Sequence, residues 1–567
     1  MTHADHEHSA PTSSGDGTVM DSVERQNLRP MTFRSELDRI IAQHGAETVF
    51  AHFDDEAMTY GQLRNRVNAV ANSLIGLGVE PGDRVGLFAL NSSQWFEFWL
   101  AAPLTGARAV PVNAAFRGAF LAQQLVEPRV SVLFVEEPLI VHLAEVAGQL
   151  PDLRTVVVRG NPAGEVGLPA NVRVVTAEQL YEAPSDDPPQ ERALPWNAPY
   201  CIFYTSGTTG PAKGAVVTQH YLLVGAHTIA AASKFTSEDV LYGAMPLFHF
   251  GGSVGHVLAG LVSGAQVVLD SQFSVTAFWA RLHLYHVTVF IGVGPMVMMV
   301  WSLPPADADR TAPLRLILAA PIPVALHHAI EERYGCRVRG VYGMTELFPL
   351  CLQDYDQPAA PGAAGRPNPM FEIALFDSDD RPVPRGTSGE IVARPRAPHV
   401  MFEGYDNRPA DTLAALRNLW FHTGDLARFS DEGDLYFVDR KKDAIRRRGE
   451  NISSFQIESF LINHPAVAEC AAHAVPSDLG EDEVKICVVT QGSAEITIAE
   501  LHQYCAEHMP RFMVPRYYEI VDVLPKTMTG RVRKALLRDN PYNSKTWDAV
   551  DGRFRGPGAL VVDGSRD

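Results

Sequence analysis

Apolar and polar positions along the chain follow two periods in turn. From Met31 to about Glu136, helical stretches are interleaved with short buried runs. Thr59 suits the N-cap of a helix that carries Leu63, Val67, Val70, Ala71 and Leu74 on one side. The turn Gly78-Val79-Glu80-Pro81-Gly82-Asp83 feeds an apolar run at 84–90, and Ala109-Val110-Pro111-Val112 follows after another helix. Buried runs separated by helices predict βα units with parallel pairing. The rhythm weakens over 137–198, which holds a Pro/Asp-rich connection at 184–189. It resumes with strands expected at 266–269, 287–291, 314–318 and 337–342. From Gly389 short strands and turns take over. The charged run Asp439-Arg440-Lys441-Lys442-Asp443 interrupts them. Beyond it, helices at 454–463 and 498–508 and strands at 468–475, 484–490 and 517–521 make a compact unit of about 100 residues. Glycine, proline and charge after Asn540 predict a surface tail over 541–567. Residues 1–30, rich in His, Ser, Asp and Gly, predict a disordered tail without the apolar core of a signal peptide.

Length and charge narrow the classes. At 567 residues the chain exceeds what one hydrophobic core organises, so two or more domains are expected. A net charge of −18 argues against a general nucleic-acid or anionic-membrane binder. The most apolar run, 287–301, is broken by Gly292, Gly294 and Pro295 and is too short to span a bilayer. The six cysteines form no CxxC pair, which predicts reduced core residues in a cytoplasmic protein rather than a zinc site.

The candidate chemistry begins after the apolar run Tyr200-Cys201-Ile202-Phe203. There the chain reads Tyr204-Thr205-Ser206-Gly207-Thr208-Thr209-Gly210-Pro211-Ala212-Lys213-Gly214. Such a loop can bring bare backbone N–H groups, hydroxyls and one ammonium to an anion. It does not fit the Walker A spacing, and a flexible Ser/Thr/Gly turn is the alternative. Val341-Tyr342-Gly343-Met344-Thr345-Glu346 ends a predicted strand, where open α/β sheets place ligands. Its ring, hydroxyl and carboxylate suit a base, a phosphate and a hard cation, or a strand end with one solvated acid. Trp420-Phe421-His422-Thr423-Gly424-Asp425 sets a carboxylate after a tight turn, suited to a pair of ribose hydroxyls or to solvent. Two basic stretches follow: Arg440 to Arg448-Gly449-Glu450-Asn451, and Leu524-Pro525-Lys526-Thr527-Met528-Thr529-Gly530-Arg531.

Taken in this order, these stretches resemble the adenylate-forming superfamily of acyl-CoA synthetases, adenylation domains and luciferases. The resemblance runs from about Met31 to Asn540. The run Arg447-Arg448-Gly449-Glu450-Asn451-Ile452-Ser453 looks most like the carnitine/crotonobetaine–CoA ligase branch. The resemblance implies an α/β fold: a large N-terminal domain of βα-layered sheets over 31–438, a hinge at 439–442, and a small mobile C-terminal α+β lid over 443–540. It implies that Thr205, Ser206, Gly207, Thr208, Thr209, Gly210 and Lys213 cradle the β- and γ-phosphates of ATP. Tyr342 and Gly343 would border adenine and Thr345 the α-phosphate. Glu346, with Thr205, would hold Mg2+. Asp425 would take the ribose hydroxyls, and Arg440 would sit near ribose and phosphate. Lys442 falls at the hinge, and Gly449 would border the pantetheine tunnel of coenzyme A. The acyl pocket would draw on Phe248, His249, Ala320 and Met344, with Met296, Met298 and Met299 as a soft wall or as ordinary core.

The implied reaction joins a small or medium carboxylic acid to AMP and then to coenzyme A, with no nucleic-acid or membrane partner. Oligomeric state stays open between monomer and homodimer. In most relatives the turn Thr-Gly is followed by lysine; here the position is Arg531, whose planar fork places donors differently. Arg531 does the work, or Lys526, Lys534 or Lys442 substitutes, or adenylation is weak and the chain mainly binds nucleotide. Carrier-protein loading, or nitrite activation toward an arylamine, remain alternatives. Leu318-Ala319-Ala320-Pro321 is a second departure, with methyl groups where relatives carry glycine.

Overall fold

A computed structural model describes residues 29–161, 167–205, 212–441, 443, 445–447, 450–476, 482–492, 496–509, 511, 513–527 and 530–555. The helix Tyr60–Gly76 forms where the apolar spacing predicts it. Thr59 Oγ1 accepts from Gln62 N–H at 3.1 Å, and Gln62 Oε1 accepts from Thr59 N–H at 2.9 Å. These reciprocal bonds satisfy two otherwise orphaned donors. Leu63, Val67, Val70, Ala71 and Leu74 are buried on the inward stripe, so Leu63→Ala would cost about 2–5 kcal/mol.

Two twisted, mainly parallel sheets hold most of the large domain. One runs in the order Arg337–Arg339, Leu316–Leu318, Val289–Ile291, Val240–Gly243, Gln266–Leu269, Val49–Phe53 and Glu56–Thr59. The other runs Gly404–Tyr405, Lys213–Thr218, Pro199–Thr205, Arg108–Pro111, Arg84–Phe88, Val132–Glu136, Thr155–Arg159 and Arg173–Thr176. Their strands are short and Val/Ile/Leu-rich because helices cover both faces. One large buried cluster runs between the sheets. A four-stranded antiparallel sheet, Phe371–Phe376, Gly389–Pro395, Phe421–Phe429 and Leu435–Arg440, packs on that cluster. Among the described residues no helix is long and apolar enough to cross a membrane. All six cysteines are free.

Most predicted strand and helix ends shift by no more than two residues, but the strand expected at 337–342 breaks in two. Arg337–Arg339 stays in the seven-stranded sheet, whereas Val341–Met344 leaves for a three-stranded sheet with Leu347–Leu352 and Arg366–Pro367. Gly340 is the switch: a Cβ there would lie 2.9 Å from the Ala363 carbonyl oxygen. The break swings Tyr342 to Glu346 out over the cleft.

The C-terminal unit has its own core of Ile445, Ile452, Ile457, Leu461, Val484, Ile486, Val488 and Leu501. Its sheet runs Val467–Pro476, Asp482–Thr490, Tyr517–Ile520, Trp547–Asp548 and Arg553–Phe554. The last two strands correct the expectation of a surface tail from residue 541. Buried Asp548 pairs with Arg516 and Arg555, while buried Lys485 Nζ donates to Glu519 at 2.6 Å and Thr546 at 3.1 Å. Ionic pairing holds this segment, so apolar periodicity did not reveal it. Asp439 ties the units together. One carboxylate oxygen accepts from Ser454 N–H (2.5 Å) and Oγ–H (2.7 Å) at the start of the helix Ser454–Leu461.

Candidate active site

The strand Phe421–Phe429 carries Asp425 opposite Arg440 of Leu435–Arg440. Gly424 takes φ +73°, a conformation in which other residues are strained, and this turns Asp425 inward. The carboxylate is 6% exposed. Tyr342 Oη donates to its Oδ2 at 2.8 Å, and Arg440 Nε stands 3.4 Å from Oδ1. Burial raises the Asp425 pKa above the usual carboxylate range, against the pull of Arg440, Tyr342 and Arg531. Burial also raises the Tyr342 phenol, helped by the adjoining charge of Asp425.

Glu346 stands at the tip of the hairpin between Val341–Met344 and Leu347–Leu352 and is 3% exposed. Its Oε1 accepts from Tyr405 Oη at 2.7 Å, while Oε2 is buried with no hydrogen-bond partner among the described residues. A buried carboxylate oxygen left bare is costly unless a ligand completes it. Burial raises the Glu346 pKa, opposed first by the Tyr405 bond. Thr345 is held through its carbonyl, which accepts from Tyr221 Oη at 3.0 Å. Gly343 has no room for a side chain, since a Cβ would meet Phe348 Cδ2 at 2.9 Å.

Thr205 and Lys213 are cross-strand partners of the hairpin Pro199–Thr205 and Lys213–Thr218. The loop thus leaves and returns at one point, with Thr205 Oγ1 donating to the Lys213 carbonyl at 3.3 Å. Lys213 Nζ pairs with Asp411 at 2.8 Å and lies 5.1 Å from the Tyr405 ring centroid. Ser206, Gly207, Thr208, Thr209 and Gly210, together with Lys442 and Gly449, lie outside the described residues.

Arg531 reaches this cleft from the C-terminal unit. Thr527 and Arg531 close a tight turn, with Thr527 N–H donating to the Arg531 carbonyl at 2.7 Å and Gly530 at φ +76°. Crowding by protein, and then the charge of Arg440, lowers the Arg531 pKa, while Asp425 opposes both. Crowding, and then the charge of Arg531, pushes His249 down to about 4. Yet both residues are exposed to solvent. Two of the three rival lysines are paired elsewhere, and Lys442 lies outside the described residues. Lys526 pairs with Glu469 at 2.5 Å and Lys534 with Glu458 at 2.8 Å. Arg531 thus feels the charges of Asp425, Arg440 and Tyr342 and acts on His249, whereas Lys526 and Lys534 are ion-paired within the C-terminal unit.

Half-buried Phe248 and Met344 pack against the main core. Half-buried Ala320 accepts from Gly294 N–H at 3.2 Å, and Gly294 tolerates no Cβ, which would lie 1.9 Å from the Pro321 oxygen. The three methionines do not form one wall: Met296 packs into the core, whereas Met299 is 44% exposed. Pro295 lies 3.9 Å from a Cβ built on Gly530, so the helix Gly294–Trp301 meets the Arg531 turn.

The AMP-binding enzyme model matches residues 37–405, and the AMP-binding enzyme C-terminal domain model matches 456–531. The chain belongs to the AMP-binding enzyme family. Within this family it is 29% identical, over 528 residues, to a crotonobetaine/carnitine–CoA ligase of Salmonella paratyphi A, covering 92% of this chain and all of the relative. A Salmonella arizonae protein of the same name matches at 29% over 490 residues, 85% of this chain and 93% of its own. The anthranilate CoA ligase AuaEII, solved with anthranoyl-AMP, superposes with a TM-score of 0.80 at 26% identity, over 89% of this chain and 96% of its own. ATP-bound MatB from Rhodopseudomonas palustris shares the fold at TM-score 0.79 and 24% identity, over 90% of this chain and 99% of its own.

Sequence reasoning passed over Tyr405, Asp411 and Tyr221, which hold the family's motif residues in place here. The turn-rich run Gly404-Tyr405-Asp406-Asn407-Arg408-Pro409 was the available signal for the first two. Tyr221, inside an apolar helix, offered none.

Proposed function

We propose that this chain is an ATP-dependent, AMP-forming ligase that activates a small or medium carboxylic acid and joins it to coenzyme A. The observation that carries the reading is Asp425 bonded by Tyr342 and paired with Arg440, within the electrostatic reach of Arg531, together with Glu346 and its unpartnered oxygen. The Salmonella relatives named crotonobetaine/carnitine–CoA ligases and the anthranilate CoA ligase support acid–CoA ligation over carrier-protein loading, nitrite activation or nucleotide binding alone.

In this reading Asp425 accepts the two ribose hydroxyls, Tyr342 and Gly343 border adenine, and Thr345 stands by the α-phosphate. Thr205, Ser206, Gly207, Thr208, Thr209, Gly210 and Lys213 gather around the β- and γ-phosphates. A divalent cation fits the unpartnered Oε2 of Glu346, because hard cations take carboxylate oxygen. Glu346 with Thr205 would hold Mg2+, which when bound neutralises phosphate charge. A carboxylate oxygen of the acid attacks the α-phosphorus, the bond to the β-phosphate oxygen breaks, and pyrophosphate leaves. Arg531 supplies fixed positive charge where negative charge gathers. The thiol of coenzyme A then loses its proton and attacks the acyl carbon, and AMP leaves. Phe248, His249, Ala320 and Met344 border the acyl group; His249, held neutral at pH 7, adds no charge to it.

The same reading divides the chain into a large domain over 31–438, a hinge at 439–442 and a lid that begins at 443 and includes the strands up to Phe554. The lid turns about Lys442 between half-reactions and brings Gly449 to the pantetheine arm. The test is pyrophosphate and AMP release across a panel of carboxylic acids plus nitrite, with and without coenzyme A. Acid-dependent pyrophosphate release and CoA-dependent AMP release are expected. No AMP from any acid at saturating ATP and CoA overturns the reading. Release that needs nitrite and an arylamine, without CoA, replaces it with diazotisation.

A further inference from the structure

The segment from Gly404 to Thr412 touches both charged partners expected of a triphosphate. The strand Gly404–Tyr405 pairs with Lys213–Thr218, in register Gly404 to Val216 and Tyr405 to Ala215. That pairing anchors the segment to the returning arm of the glycine-rich hairpin. Tyr405 N–H donates to Thr412 Oγ1 at 2.9 Å, which fixes the turn into the helix Pro409–Ala415. Phe402 N–H donates to the Glu346 carbonyl at 3.0 Å, and the Phe402 and Tyr405 rings sit 5.1 Å apart. Tyr405 is therefore held at its ring, its backbone and its neighbour.

From this position its phenol takes one oxygen of Glu346 at 2.7 Å and leaves the other buried and bare. A carboxylate bonded through one oxygen has less freedom to rotate its second away. It presents that oxygen in one direction, as an ion ligand needs. The same ring lies beneath the Lys213 ammonium, which ion-pairs with Asp411 at 2.8 Å among the described residues. Asp411 offers Lys213 an anionic oxygen, as a phosphate would.

We propose that Tyr405 is a positioning residue that aims Glu346 at the divalent cation of the nucleotide complex, and that Asp411 holds Lys213 in the phosphate's stead until ATP arrives. The proposal rests on the ATP-site reading above. It assigns Tyr405 no contact with substrate.

The test uses the full chain, with Mn2+ as the cation probe followed by electron paramagnetic resonance. ATP binding is measured separately by calorimetry in a chelator. Tyr405→Phe keeps the ring, its packing and its contact with Lys213, and removes only the hydroxyl. A bond to a charged acceptor contributes about a factor of ten or more. Tyr405→Phe should thus weaken Mn2+ in the ATP complex roughly tenfold, while metal-free ATP affinity stays within about twofold. Asp411→Asn frees Lys213 from a half-exposed pair. Metal-free ATP should then bind about two- to fivefold tighter, with Mn2+ affinity unchanged. Equal losses of Mn2+ and metal-free ATP in Tyr405→Phe would mean a merely structural role and overturn the first half. Unchanged Mn2+ affinity in that variant would do the same. Unchanged or weaker metal-free ATP binding in Asp411→Asn overturns the second. A wild-type chain that binds neither ATP nor Mn2+–ATP overturns the ATP-site reading itself, and this proposal with it.

Discussion

Asp425 and Glu346 are buried to nearly the same depth, 6% and 3% exposed, and burial raises the pKa of both. Their surroundings differ. Asp425 has partners on both oxygens, Tyr342 at 2.8 Å and Arg440 at 3.4 Å, and feels Arg531 across the cleft. Glu346 takes the Tyr405 hydroxyl on one oxygen and leaves the other without a partner among the described residues. A carboxylate ringed by donors and cations suits hydroxyl groups that slot between existing partners. A carboxylate with an unmet oxygen in a dry place suits a cation. Two acids of similar burial thus fall to different tasks because their neighbours differ.

That contrast can be broken first at the lid. Arg531→Ala removes the charge that reaches Asp425 from the C-terminal unit, and pyrophosphate release should fall ~10²–10³-fold. Arg531→Lys should restore most of it. An alanine variant as fast as wild type would show that the lid cation is idle. Glu346→Gln comes next. The amide keeps the shape but loses the ionic ligand, so release should fall about a hundredfold, with a raised Mg2+ requirement. If Asp425→Asn raises the Mg2+ requirement as strongly, the division of labour is wrong.

Asp425→Asn should instead weaken ATP binding roughly tenfold by calorimetry, the scale of one hydrogen bond to a charged acceptor. Tyr342→Phe sharpens the comparison with a smaller change, about two- to tenfold in ATP affinity, set by one bond. The acid limb of ATP binding tests sign. Because the Asp425 pKa is raised, its ionised form is lost as pH falls through a value above the ordinary carboxylate range. ATP affinity should drop on that limb, and the limb should vanish in Asp425→Asn. In Tyr342→Phe it should move to higher pH, since the phenol's hydrogen bond lowers the Asp425 pKa.

Much of the fold was legible in the sequence. Thr59 and the stripe from Leu63 to Leu74 mark the helix Tyr60–Gly76. The strand Gln266–Leu269 and the helix Ile498–His508 fall on their predicted bounds. Gly340 was not legible as a break, because its need for a bare Cα comes from Ala363 in another segment. The strands Trp547–Asp548 and Arg553–Phe554 were missed because Asp548, Arg516 and Arg555 hold them by charge. For the candidate site, the order of motifs named Tyr342, Glu346, Asp425, Arg440 and Arg531, and the fold brings them to one cleft. It could not choose among Arg531, Lys526, Lys534 and Lys442. The turn closed by Gly530 carries Arg531 within the electrostatic reach of Asp425, while Lys526 and Lys534 pair with Glu469 and Glu458.

The chain by itself determined its elements, its two-part division of pattern and its family, since periodicity, caps and motif order are local properties of adjacent residues. Only the tertiary structure decided which carboxylate keeps an unused oxygen and which basic side chain meets Asp425. Those outcomes depend on partners distant in sequence, such as Tyr405, 59 residues from Glu346, whose approach is set by packing rather than by spacing along the chain.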